Sequence, residues 1–290
     1  MSTPILRPKI SGSLKRLAIW LTALLIWEAA YRFVGWRSYV FPAPSHVLDA
    51  VLSMLNIRTA FGEPVKPGWP WPTKGNVVGA VASGPLIEAL VVSCSRLLIG
   101  FAISVLVGVL LGVVIWTIKS VDQLLGPLFL GLQTLPSVCW VPLGILWFGI
   151  NERGILFVLV MGSVFAIAIS LRDGMRTIPP IYRRAGLMLG ASGWKQYAYV
   201  LLPASLPALA TSLRQGFSFA WRSLMGAELI LAAQRHGLGF LLEIGRSFAD
   251  VAQVVAVMMM MVIIGMLADR FIFAPAERRV HQRFGLVVAE

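Results

Sequence analysis

The chain has 290 residues, 58% hydrophobic and 13% charged, with a mean hydropathy of +0.80. A soluble domain carries about 45–50% apolar and about 25% charged residues, so this composition excludes a water-soluble globule and points to lipid as solvent. The net charge of +12 is not accompanied by a Lys/Arg block interleaved with aromatics, so nucleic acid is not expected as a partner. In a membrane chain an excess of Lys and Arg marks the cytoplasmic side instead.

The first apolar segment, 17–35, follows Arg7, Lys9, Lys15 and Arg16 much as the core of a signal peptide would. It has no small-residue cleavage site and reads as an uncleaved first span. A long loop, 36–96, contains GEPVKPGWPWPTKG at 62–75. Its Pro, Gly and Trp content predicts an irregular, partly interfacial excursion. The loop ends in PLIEALVVSCSRLLIGF, an amphipathic lead-in with Glu88 and Arg96 on its polar face, which opens into a second span at 97–118.

The third span, 124–149, contains Pro127, Pro136 and Pro142 and is expected to be kinked or broken into two short helices. A broken helix is tolerated in a membrane only inside the bundle or along a pathway. Gln133, Thr134, Ser137 and Trp140 are therefore pathway candidates, with simple packing as the alternative. A fourth span covers 154–172, a fifth 204–232 and a sixth 251–273, in which Met258–Met261 reads as lipid-facing or packing surface. The expected fold is an all-α integral membrane protein of about six spans. It divides into residues 1–83, a first helix and long extracytoplasmic loop, and 84–285, a transmembrane domain with a cytoplasmic loop at 176–203.

With the N-terminus in the cytoplasm, fourteen Lys and Arg fall on the cytoplasmic side and nine on the other. Six of the nine belong to or flank the long loop, where the bias has little force. Both termini are expected inside. Three charges lie within the fifth span: Arg214, close enough to the interface to snorkel; Arg222, near mid-span; and Glu228. A mid-span Arg costs at least about 2.5–3.5 kcal/mol to insert, so Arg222 either lends positive potential to an anion path or pairs with a carboxylate. Glu228 is a further path candidate, turned about 120° from Arg222 around the helix.

No G-x-x-x-x-G-K-[ST] phosphate loop occurs, so the chain is not expected to hydrolyse ATP. Cys94 and Cys139 lie among apolar neighbours, and no His/Cys/Asp/Glu grouping has metal-ligand spacing, so neither a metal nor a cofactor is expected.

Between the fourth and fifth spans, Ile178-Pro179-Pro180 ends one helix and allows another to start. Leu187, Ala191, Trp194 and Ala198 recur at spacings of 4, 3 and 4 as one apolar stripe, with Arg183, Arg184 and Lys195 off it. Gly190 and Gly193 interrupt the helix or admit another backbone. This stretch suits either an amphipathic helix lying on the inner leaflet or a short helix that docks into another protein.

The same stretch resembles the cytoplasmic loop of importer-type ABC permeases, whose pattern is E-A-A, three residues, G, nine residues, I-x-L-P. Here it reads Arg184-Ala185-Gly186, three residues, Gly190, nine residues, Val200-Leu201-Leu202-Pro203, with Arg in place of Glu and Gly in place of the second Ala. FPAPSHVL (41–48), SRLLIGFAISVLVGVLLG (95–112), LPSVCWVPLGILWFGI (135–150), FAWRSLMGAELI (219–230) and GLGFLL (237–242) are similar to permeases for nitrate, sulfonate, taurine and bicarbonate.

The resemblance implies a type I (MetI-like) permease core in a bacterial inner membrane. It further implies a second permease copy, two cytoplasmic ATPases that hold ATP and Mg²⁺, and an extracytoplasmic solute-binding protein. Arg184, Ala185, Gly186, Leu187, Gly190, Ala191, Trp194 and Pro203 would couple the chain to the ATPase, with Trp194 as an anchor. The alternatives are the same scaffold importing a neutral or cationic precursor, pyrimidine- or riboflavin-like, and a self-contained secondary carrier.

Overall fold

The computed structural model describes residues 12–36, 40–55, 84–231 and 235–284; the side chains of residues 12–17 and of Trp194 lie outside the described set, as does the insertion at 56–80. In chain order the helices are α1 (Gly12–Val34), α2 (Pro44–Met54), α3 (Pro85–Thr117), α4 (Lys119–Thr134), α5 (Val141–Phe148), α6 (Glu152–Arg176), α7 (Pro180–Met188), α8 (Leu206–Ile230), α9 (Leu238–Ser247), α10 (Val251–Ala268) and α11 (Ala274–Arg283). No strand occurs among the described residues.

By length and composition, three helical runs can cross a membrane alone: Pro85–Thr117, Glu152–Arg176 and Val251–Arg283; the bent pair α4 and α5 makes up to four. The expected count of about six is therefore not established. α8 has the length, at 25 residues, but carries Arg214, Arg222 and Glu228. The second span also starts earlier than the sequence suggests, because the amphipathic lead-in and the span form one 33-residue helix. Glu88 is exposed on it, but Arg96 is buried at 4% exposure rather than sharing an open polar face.

The chain falls into two compact units, Met1–Pro85 with Glu243–Met258, and Leu86–Leu242 with Met259–Glu290. In the first, Pro44 opens α2 and aromatic rings gather beside it: Trp27 and Trp36 lie 5.6 and 5.2 Å from Phe41, and Tyr31 meets His46 edge-on at 5.5 Å. Glu28 pairs with Arg32 at 2.8 Å, one helical turn away.

The second unit is built around α6. Two thirds (67%) of its apolar window is buried, against 28% for α3, so α6 is the axis on which its neighbours pack. Small residues set the spacing. On α3, Gly100, Ser104, Gly108 and Gly112 recur every fourth residue. A methyl group at Gly100 would lie 2.7 Å from Leu159, at Gly108 2.9 Å from Ile167, and at Gly112 2.9 Å from the Ala168 carbonyl. Ser163 of α6 donates to Ser104 at 2.8 Å across the same seam. In lipid no hydrophobic drive separates helices from solvent, and close backbone approach of this kind holds them together instead. α8 runs antiparallel to α6 with the same device: Gly162 abuts Ser223, Gly216 abuts Ile167, and Gly174 abuts Ala208.

The three prolines of the third predicted span behave differently. Pro127 sits inside α4, and Pro142 occupies the first turn of α5, where its missing N–H costs nothing. Pro136 is the breaker: Leu135 before it is extended at ψ 128°, as a residue preceding proline prefers, and the two helices meet at a bend of 103°. α6 then starts from Asn151, whose side-chain oxygen caps the N–H groups of Arg153 and Gly154 at 2.9 and 3.2 Å.

Candidate coupling surface and translocation site

Pro180 opens α7, and Gly190 closes it. Gly190 adopts φ +80°, its N–H donates to Leu187 O at 3.1 Å, and the Ala191 N–H donates to Gly186 O at 2.9 Å. Those two bonds are the Schellman C-cap, which requires a left-handed residue at this point. Gly193 is likewise left-handed at φ +55°. Both interrupt the helix, and no described residue of this chain lies within 4 Å of the position a methyl group would take at either. The close approach falls to Gly186, where a methyl group would lie 2.9 Å from Val200.

The predicted stripe is therefore cut in two. Leu187 belongs to α7, Ala191 to the turn, and helical structure resumes only at Trp194–Gln196, followed by a π-helical turn Tyr197–Leu201 and Leu202–Ala204, which contains Pro203. Gln196 is buried and donates to Arg183 O at 2.9 Å, pinning the returning chain to α7. Leu187, Met188 and Leu189 are exposed, the last two by nearly nine-tenths, with Arg183, Arg184, Ala185 and Lys195 exposed around them. The result is an apolar tip with a basic rim, carried between the end of α6 and the start of α8. α6 is braced there by Asp122 of α4, which pairs with Arg172 at 3.5 Å and also with Arg176.

α8 carries a polar seam. Thr211, Gln215, Ser218 and Arg222 are all exposed and spaced 4, 3 and 4, so they share one face. Arg222 donates from Nε to Ser218 O at 3.2 Å, and its guanidinium lies 4.5 Å above the Phe219 ring. It has no carboxylate partner among the described residues. Arg214, one face over, is engaged by carboxylates: it binds Asp269 through Nε and Nη2 at 2.6 and 2.8 Å, and Glu277 through Nη1 at 2.7 Å.

The bend at Pro136 packs one turn along from Arg222. Val138 lies 3.4 Å from where a methyl group on Gly226 would sit, and Ser137 lies 3.2 Å from the equivalent point on Gly162. Trp140 stacks on Phe165 at 6.2 Å, and Thr134 is exposed while donating to its own helix at Gly131 O. The Gln133 side-chain oxygen is buried without a hydrogen-bond partner among the described residues.

Glu228 is not on the seam with Arg222. It is 2% exposed and accepts from Ser93 Oγ at 2.7 Å, Arg96 Nη1 at 2.7 Å and the Gly239 N–H at 3.1 Å. Arg96 in turn grips Glu152 with two bonds of 2.6 and 2.5 Å and donates to Arg235 O at 2.6 Å, while Ser93 accepts the Leu238 N–H at 2.9 Å. The ends of α3, α6 and α8 and the turn at 235–239 are thus stitched into one ionic clasp. Gly237 and Gly239 both abut Glu228 and leave no room for a Cβ. The sequence offered no sign of this clasp, since its partners lie 56 and 132 residues apart. Of the seam only Arg222 was singled out from the sequence; Thr211, Gln215 and Ser218 were missed, although their spacing of 4, 3 and 4 carried the signal.

The described residues form an all-helical domain whose central helix pair bears a capped helix–turn loop at one end and a polar seam along α8. Residues 104–280 match the family of binding-protein-dependent transport system inner membrane components, and the chain belongs to that family. It is 33% identical over 192 residues to a "Putative ABC transporter permease protein" of Methanocaldococcus jannaschii, covering 66% of this chain and 72% of that one. It is 28% identical over 193 residues to the nitrate import permease protein of Synechocystis sp. (64% and 70% covered). It is 29% identical over 184 residues to the taurine transport system permease protein of Escherichia coli (63% and 66%).

Proposed function

We propose that this permease forms one half of a path for a small anion, paired with a second copy of itself, driven by two cytoplasmic ATPases that hold ATP and Mg²⁺, and loaded from outside by a solute-binding protein. The observation that carries the reading is the exposed seam Thr211, Gln215, Ser218 and Arg222 on α8, whose opposite face packs on α6. A polar face with an unpaired guanidinium is costly against hydrocarbon and faces a protein partner or water instead. Two copies facing each other across their seams would enclose a polar path with positive potential. The nitrate permease among its relatives favours an anion as cargo.

The tip at Leu187, Met188 and Leu189 would seat in an apolar groove of the ATPase, with Arg183, Arg184 and Lys195 meeting an acidic rim. Arg184 stands where the family pattern has Glu, so the ATPase surface facing it would carry the opposite charge. Gly186, Gly190, Ala191 and Pro203 shape the tip, and Ala185 and Leu187 lie on its surface. Because α6 and α8 are locked by glycine contacts along their length, closure of the ATPases would tilt them as one body. ATP hydrolysis belongs to the partner subunit, and with that loop facing the ATPases both termini are cytoplasmic.

Co-purification with the ATPase, followed by uptake in proteoliposomes, tests this. Arg222→Gln is expected to lower anion uptake at least tenfold with the assembly intact, and Leu189→Asp to abolish uptake while the chain still inserts. Anion uptake by the chain alone on an ion gradient would overturn the reading.

A further inference from the structure

Beside the seam, a cavity of about 450 Å³ opens between α8 and the second half of α10. Its walls are Phe217, Trp221 and Met225 from α8 and Met261, Val262 and Met266 from α10. Three polar side chains reach it: Arg222, Ser218 and Asp269. Two of them are already engaged. Both carboxylate oxygens of Asp269 accept from Arg214, and Ser218 Oγ donates to Arg214 O at 3.3 Å. Of the Arg222 donors only Nε is used, on Ser218 O, leaving both Nη groups without a hydrogen bond among the described residues. The Trp221 indole nitrogen lies against Gly265, 3.2 Å from where a methyl group there would sit.

We infer that this cavity selects the cargo, and that it takes an organic monoanion with an apolar body: an oxyanion head on Arg222 and a chain laid along Trp221 and the methionines. The inference rests on the anion-path reading and narrows it to one class of anion. A guanidinium presents a planar fork that matches two oxygens of a sulfonate or carboxylate. Methionine walls adapt to chains of different shape, and the volume falls in the range of small-molecule sites, which are mostly apolar with few placed polar groups. A compact inorganic oxyanion would make the same contact with the guanidinium but has no apolar body to bury along Trp221 and the methionines, so it forgoes that part of the binding. A zwitterion would need a carboxylate for its ammonium, and Asp269 is occupied by Arg214.

The permease–ATPase complex in nanodiscs tests this by calorimetry with nitrate, taurine and linear alkanesulfonates of two to six carbons, with empty discs subtracted. Affinity is expected to rise about three- to fourfold per added methylene, so hexanesulfonate binds roughly a hundredfold tighter than ethanesulfonate. Nitrate and taurine are expected to bind no better than ethanesulfonate. Arg222→Gln should remove specific binding of the whole series. Gly265→Leu, which must displace the indole and fill the cavity, should flatten the chain-length dependence and spare ethanesulfonate.

Nitrate or taurine matching hexanesulfonate, with binding still lost in Arg222→Gln, would overturn the inference and leave the anion path standing. A chain-length slope that survives both substitutions marks occupation by lipid-like tails or burial of the cavity against a second copy, and overturns it too. Anion binding indifferent to Arg222 would remove the path as well. If Arg222→Gln fails to assemble, Arg222→Lys, which keeps the charge and loses the fork, supplies the same comparison.

Discussion

The ionic clasp yields a quantitative expectation. Arg96→Met leaves Glu228 buried at 2% exposure with only Ser93 and the Gly239 N–H for company. Stranding one member of a buried pair costs about 3–5 kcal/mol, and Glu228→Leu strands Arg96 on one side in the same way. The double variant strands neither: Leu has a volume close to that of Glu, and Glu152 is 37% exposed, so water can replace its lost partner. A buried pair exchanged for apolar residues is often neutral, but the double variant still leaves the Gly239 N–H and the Ser93 hydroxyl without their acceptor, so it is expected to lose clearly less than the two single losses summed, with a coupling energy of at least about 2 kcal/mol. Unfolding of the purified chain in mixed micelles with increasing dodecyl sulfate, followed by tryptophan fluorescence, measures all four corners of the cycle. Losses in the two single variants that add to within about 0.5 kcal/mol would refute the clasp as a unit. Wild-type stability in Glu228→Leu combined with abolished uptake would return Glu228 to the path.

Gly190→Ala should cost about 1–2 kcal/mol, the penalty of a left-handed alanine, and should lower ATPase stimulation by the binding protein more than it lowers the unfolding midpoint. Gly216→Leu drives a side chain into Ile167 and is expected to destabilise by about 1–3 kcal/mol, with Ile167→Ala in the same molecule recovering part of the loss; no recovery would argue against direct contact of α6 and α8 there. Asp122→Asn weakens the brace to Arg172 and Arg176 and should cost about 1.5–3 kcal/mol, seen as faster proteolysis between α6 and α7, and a cleavage rate equal to wild type would contradict the brace.

Local chemistry was readable in the sequence because it acts over short range. A break in the segment holding Pro127, Pro136 and Pro142, a helix start just after Ile178-Pro179-Pro180 and a helix interruption at Gly190 follow from fixed φ, a missing N–H and a missing Cβ, and no partner has to be known; that Pro136 is the one that breaks the helix did not follow. The all-helical membrane class followed from composition for a similar reason. What stayed hidden depends on contacts made across the chain. Arg96 looked like one polar group on an amphipathic lead-in because Glu152 and Glu228 lie far along the sequence. The stripe from Leu187 to Ala198 had the right period and its glycines signalled an interruption, but that both are left-handed and divide it into two pieces came only with the structure. The pairing of Arg214 with Asp269 and Glu277, 55 and 63 residues on, was likewise out of reach.

The empty surroundings of Gly190 and Gly193 carry a consequence for chemistry rather than for evolution. What those positions forbid is handedness and not bulk, so a mirror-image alanine placed there by semisynthesis would fit where its natural counterpart strains. The tip could in that way be stiffened without being enlarged, and the part that suppleness plays in the stroke could be weighed apart from the part that shape plays.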